Sequence, residues 1–480
     1  MASLGVIILA AGQGKRMHSS LPKVLHEIGG KPLIFHIISH VRSVSPQASV
    51  AVVVGHGREQ VEKAIKEEAS FSSLKISFIH QSEQKGTGHA ARCAMDSDWG
   101  DQMVKAKANV LVLPGDLPLI TSALIQQMLL PAGKGDALRL LTCTLADPTG
   151  YGRIVRRGKK GAVIRIVEEK DANLREKQIQ EVSTSIYLFQ AAFLKYGLQK
   201  LSNKNAQGEY YLTDLISQAV RAKKKIDVLH WNSPEDLRGV NDPWELAQAR
   251  KILNERCLRD WSLKGVKFMA PWTTWIDVTV QLAEEVTIEP GVMLCGSTHI
   301  GHGALIGARC VLKNVKVGAN ANIKVGTVAE DSTIEEGANV GPYAHIRPGS
   351  TVGKHAKIGN FVELKKSKIG ERTSIAHLSY VGDAEVGKDV NIGCGFVTCN
   401  FDGRVIDGER KHKTVIEDDV FLGSDCQTIA PVRIGKGAYV ASGSTITEDV
   451  AAGALAIARA RQVNKPGYAQ KMKKPKGPKA

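Results

Sequence analysis

The eight cysteines of this 480-residue chain, at positions 93, 143, 257, 295, 310, 394, 399 and 426, form no CxxC pair and no Cys/His cluster. Their spacing excludes a disulfide framework and a zinc module, and suits a reducing cytoplasm. Long apolar runs are also missing. Val6 to Ala11 is too short for a signal-peptide core or a membrane span, and no basic leader precedes it, so a cytoplasmic protein is expected, neither secreted nor membrane-bound. Pro290 to Ala308 lacks charge, but Gly291, Gly296, Gly301, Gly303 and Gly307, with His299 and His302, mark turns rather than a lipid-facing helix. Acids are scarcer than bases, giving a net charge of +16. Six lysines and no acid fall in residues 465–480, leaving +10 over the rest.

What is plentiful is glycine: 47 residues, about 10% against a usual ~7%. There is no Gly-X-Y period and only 17 prolines, so the excess is not collagen-like. At roughly 150 residues per domain the length allows two to four domains. Charged residues at 23% and apolar residues at 43% allow large cores and exclude wholesale disorder.

Up to about residue 230, short apolar runs (Val6–Ala10, Val50–Val54, Ile76–His80, Val110–Leu113) alternate with helical patterns such as Arg58–Ala69 and Thr121–Leu130. That alternation predicts βαβ units and a mostly parallel sheet covered on both faces. Residues 241–265 place Trp244, Leu246, Ala249, Ile252, Leu253, Cys257 and Trp261 on a helical period, the pattern of a connecting helix. From residue 266 to 462 the chain repeats every six residues: Val340-Gly341, Ile346, Val352-Gly353, Ile358-Gly359, Leu364. After one-residue slips the echo resumes at Ile369-Gly370, Ile375, Val381-Gly382 and at Val386-Gly387, Ile392-Gly393, Thr398, with a late block at Ile434-Gly435, Val440, Ile446. Such a repeat predicts a parallel β-helix of three short faces per coil. About 170 residues at 18 per coil make nine or ten coils, each rising ~4.8 Å. Residues 463–480 are expected to be a disordered basic tail.

Two kinds of chemistry interrupt these patterns. The first strand opens into Leu9-Ala10-Ala11-Gly12-Gln13-Gly14-Lys15-Arg16-Met17, a glycine-rich loop whose backbone N–H groups suit phosphate. It is neither a Walker loop nor GxGxxG. Lys23 follows Pro22, and Asp116 lies just past a buried-strand pattern, where open α/β sheets bind ligands and a hard carboxylate suits Mg²⁺. In the repeat region, Gly359 to Lys366 and Ala376 to Asp383 bring polar residues, His377 among them, into the plain hexapeptide pattern.

The order of LAAGQGKRM, LPKV, QKGTGHA, GDLPL, Gly150-Tyr151-Gly152-Arg153, Ile166 to Asp171 and NAQGEYYLTD (Asn205–Asp214), followed by hexapeptides, resembles the bifunctional bacterial enzymes of UDP-N-acetylglucosamine synthesis over residues 3–462. The resemblance implies an α/β Rossmann-like nucleotidyltransferase domain (1–240) followed by a left-handed parallel β-helix. It also implies a homotrimer, acetyl transfer from acetyl-CoA to glucosamine 1-phosphate, and uridylyl transfer from UTP to N-acetylglucosamine 1-phosphate. On the same basis Leu9, Ala10, Ala11, Gly12, Lys23 and Gly115 hold nucleotide, Gln81, Gly86 and Thr87 read uracil, and Gly152, Glu168 and Ser183 contact the sugar. Asp116 and Asn241 are implied to hold Mg²⁺, and Arg16 is the candidate for neutralising pyrophosphate.

In the β-helix the resemblance makes His377 the proton acceptor, with Glu363 as a candidate to orient its ring. Neutral imidazole suits deprotonation of an amine near neutral pH. Arg347, Lys365, Tyr380 and Asn391 match sugar-phosphate ligands, and Cys394, Asn400, Phe401, Ser424, Ser442 and Arg459 match the acetyl-CoA site. Departures from the family pattern are Pro114 for an aromatic, Ser183 for an asparagine, Ser185 for a glycine, Phe401 for a tyrosine, and Cys394 and Ser442 for alanines. Arg404–Arg410 extend a loop expected at the border of the site. A nucleic-acid role for the lysine tail is not expected, because aromatics are not interleaved with its cations.

Overall fold

The computed structural model describes residues 4–131, 136–158, 161–403, 405, 408 and 410–472. The chain divides into two compact units, Met1–Arg256 and Cys257–Ala480. The division falls within the helix Pro243–Leu263, which buries Leu246 and Ala249 in the first unit and Leu258 in the second.

In the first unit, β1 (Leu4–Ala10), β2 (Ser49–Val54), β3 (Lys75–His80), β4 (Asn109–Pro114), β5 (Asp136–Thr144), β6 (Arg153–Arg156), β7 (Val163–Val167), β8 (Glu181–Gln190) and β9 (Lys225–Trp231) form one sheet. Its order is β9-β5-β8-β4-β1-β2-β3, with β6 on β8 and β7 on β6. The run from β4 to β3 is parallel, while β8 lies antiparallel between β4 and β5. The central strand has no polar face because both faces are covered: Val6 and Ile8 enter one core and Ile7 the other. Its C-terminal end runs into exposed loop at Gly12 and Gln13, beside the end of its parallel neighbour β4.

The second unit stacks short strands into three parallel sheets of 11, 10 and 9 strands among the described residues, each strand pairing with the equivalent one a coil later. His345 pairs with Glu363 and Glu363 with Tyr380, so the one-residue slips in the repeat are a 17-residue coil following an 18-residue one. The repeat aliphatics point inward: Val340, Ile346, Val352, Ile358, Leu364, Ile375 and Val381 are all fully buried. Glycine beside them answers a close approach more than a turn. A Cβ at Gly353 would stand 2.7 Å from Ile369 O on the next coil, and one at Gly393 2.6 Å from Ser424 N. Corners are turned in the left-handed region by glycines such as Gly291, Gly326 and Gly349, by Asn and Asp, including Asn314, Asn320, Asp331, Asp389 and Asp419, and by larger residues such as Tyr343, Phe361 and Leu378.

One coil is interrupted. Lys368 and Glu385 pair in register, 17 positions apart, whereas the next pair on that face is Ala384 with Thr414, thirty positions apart. The excursion leaves after Cys399 and returns at Thr414; within it, Arg404, Ile406, Asp407 and Glu409 lie outside the described residues. Tyr468–Met472 is a short exposed helix where a disordered end was expected, and residues 473–480 lie outside the described residues.

Two candidate functional sites

The first site grows from the loops beyond β1 and β4. Gly115 N donates to Leu9 O at 2.8 Å, holding them side by side, and a Cβ at Gly115 would meet the same oxygen. Ala10 and Ala11 are buried beneath, Gly12 and Arg16 are exposed, and Gly14 turns with φ +60 against the Lys23 stem. Lys23 Nζ donates to Asp116 Oδ2 and, at 3.2 Å, to Asn241 Oδ1. Val240 N donates to Asp116 O at 3.0 Å, and Asn241 N is held by Glu245 Oε2 at 2.6 Å, so the segment entering the connecting helix brings its amide to the sheet edge.

Two hard oxygens thus converge on one cation position, taken by the lysine ammonium. They fit a divalent ion that keeps water and phosphate oxygens for its remaining ligands. Among the described residues no three His, Cys, Asp or Glu side chains gather as an all-protein metal cage. Arg16, on the one-turn 3₁₀ segment Lys15–Met17, makes no ion pair among the described residues.

The rim continues by contact. Gln84 Nε2 donates to Ala11 O at 2.9 Å, and Gln81 Nε2 to Gly86 O at 3.3 Å. Gly86, at φ +96, opens the helix Thr87–Met95; a Cβ there would stand 2.8 Å from Tyr210 O. Leu212 N donates to Thr87 Oγ1 at 3.3 Å, and Thr213 Oγ1 to Glu168 Oε1 at 2.8 Å. A Cβ at Gly152 would stand 3.3 Å from Glu168 Oε2, and Ser183 N donates to Gly152 O at 2.8 Å. Burial raises the Glu168 pKa; the Thr213 hydrogen bond opposes this, while Asp214, Asp171 and Glu209 add to it.

Ser183 is buried and its hydroxyl pairs with Tyr187 Oη at 2.8 Å, so that group is turned into the core. Two residues on, Ser185 has φ +60, the conformation that favours glycine, at the point where the β5–β8 register shifts.

The second site lies at a β-helix corner. Asn360 and His377 are register partners, and His377 Nδ1 is 2.7 Å from Asn360 Oδ1. An amide oxygen only accepts, so the ring proton sits on Nδ1 and Nε2 carries the free lone pair. Glu363, expected as the orienter, is instead paired with Arg347 Nη1 at 2.8 Å, because it occupies the next face, opposite Tyr380. Asn360, not Glu363, is the side chain that meets the ring; both are polar and near in sequence, and only the coil register distinguishes them.

Lys365 lies 3.9 Å from Asp383, and burial lowers its pKa while Asp383 opposes that effect and Lys411 and Arg347 reinforce it. Lys411, absent from the sequence reading, returns from the loop excursion and places its ammonium 5.0 Å from the Phe401 ring centroid. Arg347, Lys365 and Lys411 make an anion-seeking group. The Asn400 amide donates to Asp383 Oδ2, which fixes it inward.

Beyond His377 the same corner continues coil by coil. Gly395 N donates to Leu378 O at 3.1 Å, Asp425 N to Cys394 O at 2.6 Å, and Gly443 N to Ser424 O at 2.9 Å. A Cβ at Gly443 would stand 3.8 Å from Arg459 Cδ. Cys394, Ser424 and Ser442 thus run in a row from the histidine at one strand spacing per step. Asn391 opens the strand opposite Ser374, three residues before the corner.

Family models match this division. Residues 6–149 match the MobA-like NTP transferase domain, 298–328 the hexapeptide repeat of succinyl-transferase, and 331–366 with 413–448 the bacterial transferase hexapeptide. The interval 367–412, free of hexapeptide matches, carries His377 and Lys411. The chain is 42% identical to the bifunctional protein GlmU of Shouchella clausii, over 98% of this chain and all of that one. It is 42% identical to that of Pelobacter propionicus over 99% and 100%, and 43% identical to that of Halalkalibacterium halodurans over 98% and 99%. A nucleotidyltransferase unit and a left-handed β-helix acyltransferase unit joined in one polypeptide, matched at this level end to end, show that the chain belongs to the family of bifunctional proteins GlmU.

Proposed function

We propose that the β-helix transfers acetyl from acetyl-CoA to glucosamine 1-phosphate and that the α/β unit then couples the product to UTP, yielding UDP-N-acetylglucosamine and pyrophosphate. The observation that carries this reading is that each unit holds its own constellation: Lys23, Asp116 and Asn241 beside a glycine loop in one, and in the other the His377–Asn360 pair together with the cation group of Arg347, Lys365 and Lys411.

In the acetyl transfer, Arg347, Lys365 and Lys411 hold the sugar phosphate. Asn360 fixes the His377 tautomer, and Nε2 takes the proton the amine sheds as it attacks the thioester. The row Cys394, Ser424 and Ser442 carries the pantetheine arm and Arg459 its anionic end, while Asn400 and Phe401 border it.

In the uridylyl transfer, the sugar-phosphate oxygen attacks the α-phosphorus of UTP in line with departing pyrophosphate. Positioning and charge neutralisation supply most of the rate, as in other phosphoryl transfers. The nucleotidyltransferase unit uses a divalent metal, which we infer to be Mg²⁺ held by Asp116 and Asn241; when bound it neutralises phosphate charge. The loop Leu9–Gly12 with Gly115 cradles phosphate, Lys23 and Arg16 add positive charge, and Gly152 and Glu168 fix the sugar. The buried Ser183 acts through its backbone and Tyr187.

A homotrimer in the cytoplasm completes the proposal. Supporting self-association, Trp275, Met293, Val311 and Val328 form an apolar ladder along one β-helix face, with Trp275 and Met293 exposed and the two valines half-buried. No helix among the described residues is long and apolar enough to cross a membrane.

The test supplies the intact protein with glucosamine 1-phosphate, acetyl-CoA, UTP and Mg²⁺, following free thiol and pyrophosphate separately. Asp116→Ala is expected to lose pyrophosphate release and keep thiol release. His377→Ala is expected to do the reverse when given N-acetylglucosamine 1-phosphate. Absence of thiol release from the unaltered chain would reduce the β-helix to an assembly module.

A further inference from the structure

At the C-terminal end of β3, the side chain of Gln81 is almost wholly buried, yet its two ends differ. Nε2 faces two partners, Gly86 O at 3.3 Å and His89 Nδ1 at 3.0 Å. A carbonyl oxygen only accepts, so Gly86 sets the amide with its nitrogen on that side. His89 must then accept at Nδ1 and carry its proton on Nε2, which lies 3.8 Å from Cys93 Sγ, a sulfur able to accept. Burial lowers the His89 pKa, the Arg92 guanidinium and Lys85 lower it further, and a hydrogen bond to the Glu83 backbone together with the Glu83 carboxylate opposes them. The ring itself is held on the helix Thr87–Met95 against Tyr210, with centroids 6.3 Å apart. Gln81 Oε1 has no partner among the described residues and is not among the polar atoms sealed from solvent. It is the one acceptor this network leaves for a ligand.

We propose that His89, backed by Cys93, is a positioning residue that fixes the Gln81 amide with Oε1 toward the nucleotide base, selecting a pyrimidine with N–H at ring position 3. The inference rests on the reading of Gln81 as the residue that meets the base. Uracil offers a donor at that position. Cytosine offers a lone pair, which would face the lone pairs of Oε1. Turning the amide over would suit cytosine, but it would set Oε1 against Gly86 O and Nε2 away from His89. A site built this way rejects the wrong base through an unpaired buried polar group rather than through size.

The experiment compares kcat/KM for UTP and CTP, by pyrophosphate release from the intact protein with N-acetylglucosamine 1-phosphate and Mg²⁺. In His89→Leu the UTP/CTP ratio falls about tenfold, the effect of one hydrogen bond. His89→Phe, which keeps a ring without an acceptor, gives the same fall should the leucine variant not fold. His89→Asn, which places Oδ1 near the position of Nδ1, holds the ratio within about threefold. Thiol release by the β-helix of the same variants reports that the chain is intact. An unchanged ratio in His89→Leu and His89→Phe overturns the inference, as does an equal fall in His89→Asn, which would make the ring a packing group. Equal use of UTP and CTP by the unaltered protein overturns base selection at Gln81 while leaving nucleotidyl transfer standing. Pyrophosphate release from neither removes the nucleotidyl-transfer reading itself.

Discussion

Asn360 shows what a single side chain decides. A neutral amide orients His377 and brings no charge to the ring. Asn360→Asp is therefore expected to favour the imidazolium and move the acid limb of the kcat/KM profile for acetyl transfer to higher pH. Asn360→Leu, which frees the tautomer, is expected to lower kcat about tenfold or more, within the usual range for a general base. Glu168 carries the opposite tension. Its folded pKa is raised by burial, so the folded state holds more protons than the unfolded one between the two pKa values. Its contribution is best below the unfolded pKa and is lost as pH rises through the folded one. Glu168→Gln is expected to flatten that loss in a melting-temperature series against pH, and to raise KM for the sugar phosphate, since it removes the charge set beside Gly152. Ser183→Ala leaves the buried Tyr187 hydroxyl without its partner, at a cost of about 1–3 kcal/mol read from the unfolding transition of the first unit. These partners were beyond the reach of the sequence, because Ser183 looked like a sugar contact and only packing shows its hydroxyl spent on Tyr187. Lys411 escaped notice for a related reason: in a run of basic loop residues nothing in spacing marks the one whose neighbours are Lys365 and Phe401.

At the level of elements, legibility followed periodicity. The hexapeptide echo named the inward residues of the β-helix one by one, because each coil repeats the same steric problem and Val or Ile solves it each time. The βαβ strands of the first unit were readable as doubly covered apolar runs, while the antiparallel β8, inserted between β4 and β5, carried no comparable signal. Gly86 illustrates an element boundary with no slack, since φ +96 and the nearby Tyr210 carbonyl both oppose a side chain. Gly86→Ala is expected to displace the start of the helix Thr87–Met95 and reduce uridylyl transfer at least tenfold while acetyl transfer persists, both read from product release. Within the β-helix, Ile375→Ala leaves a cavity between coils and costs about 2–5 kcal/mol. Because each coil touches only its neighbours, hydrogen exchange in that variant is expected to rise around Ile358 and Ile392 and to remain low near Ile306.

On the scale of the whole molecule, the outward ladder of Trp275, Met293, Val311 and Val328 leaves aliphatic and aromatic surface on a face that the chain's own coils do not cover. Sedimentation is expected to give three times the 51.8 kDa of one chain, and Met293→Lys with Val311→Lys is expected to reduce that mass. The regular ladder of pairing has a further consequence for how the second unit is made. After the first coil, each described strand binds the strand one coil earlier, so a nascent chain leaving the ribosome lays each new rung on an edge already in place. The first unit breaks that order at β5, whose neighbours β8 and β9 both come later in the chain, β9 some ninety residues on. Synthesis of the second unit can therefore proceed by accretion, and a pause at the excursion before Thr414 leaves a finished, hydrogen-bonding edge waiting for the chain to return.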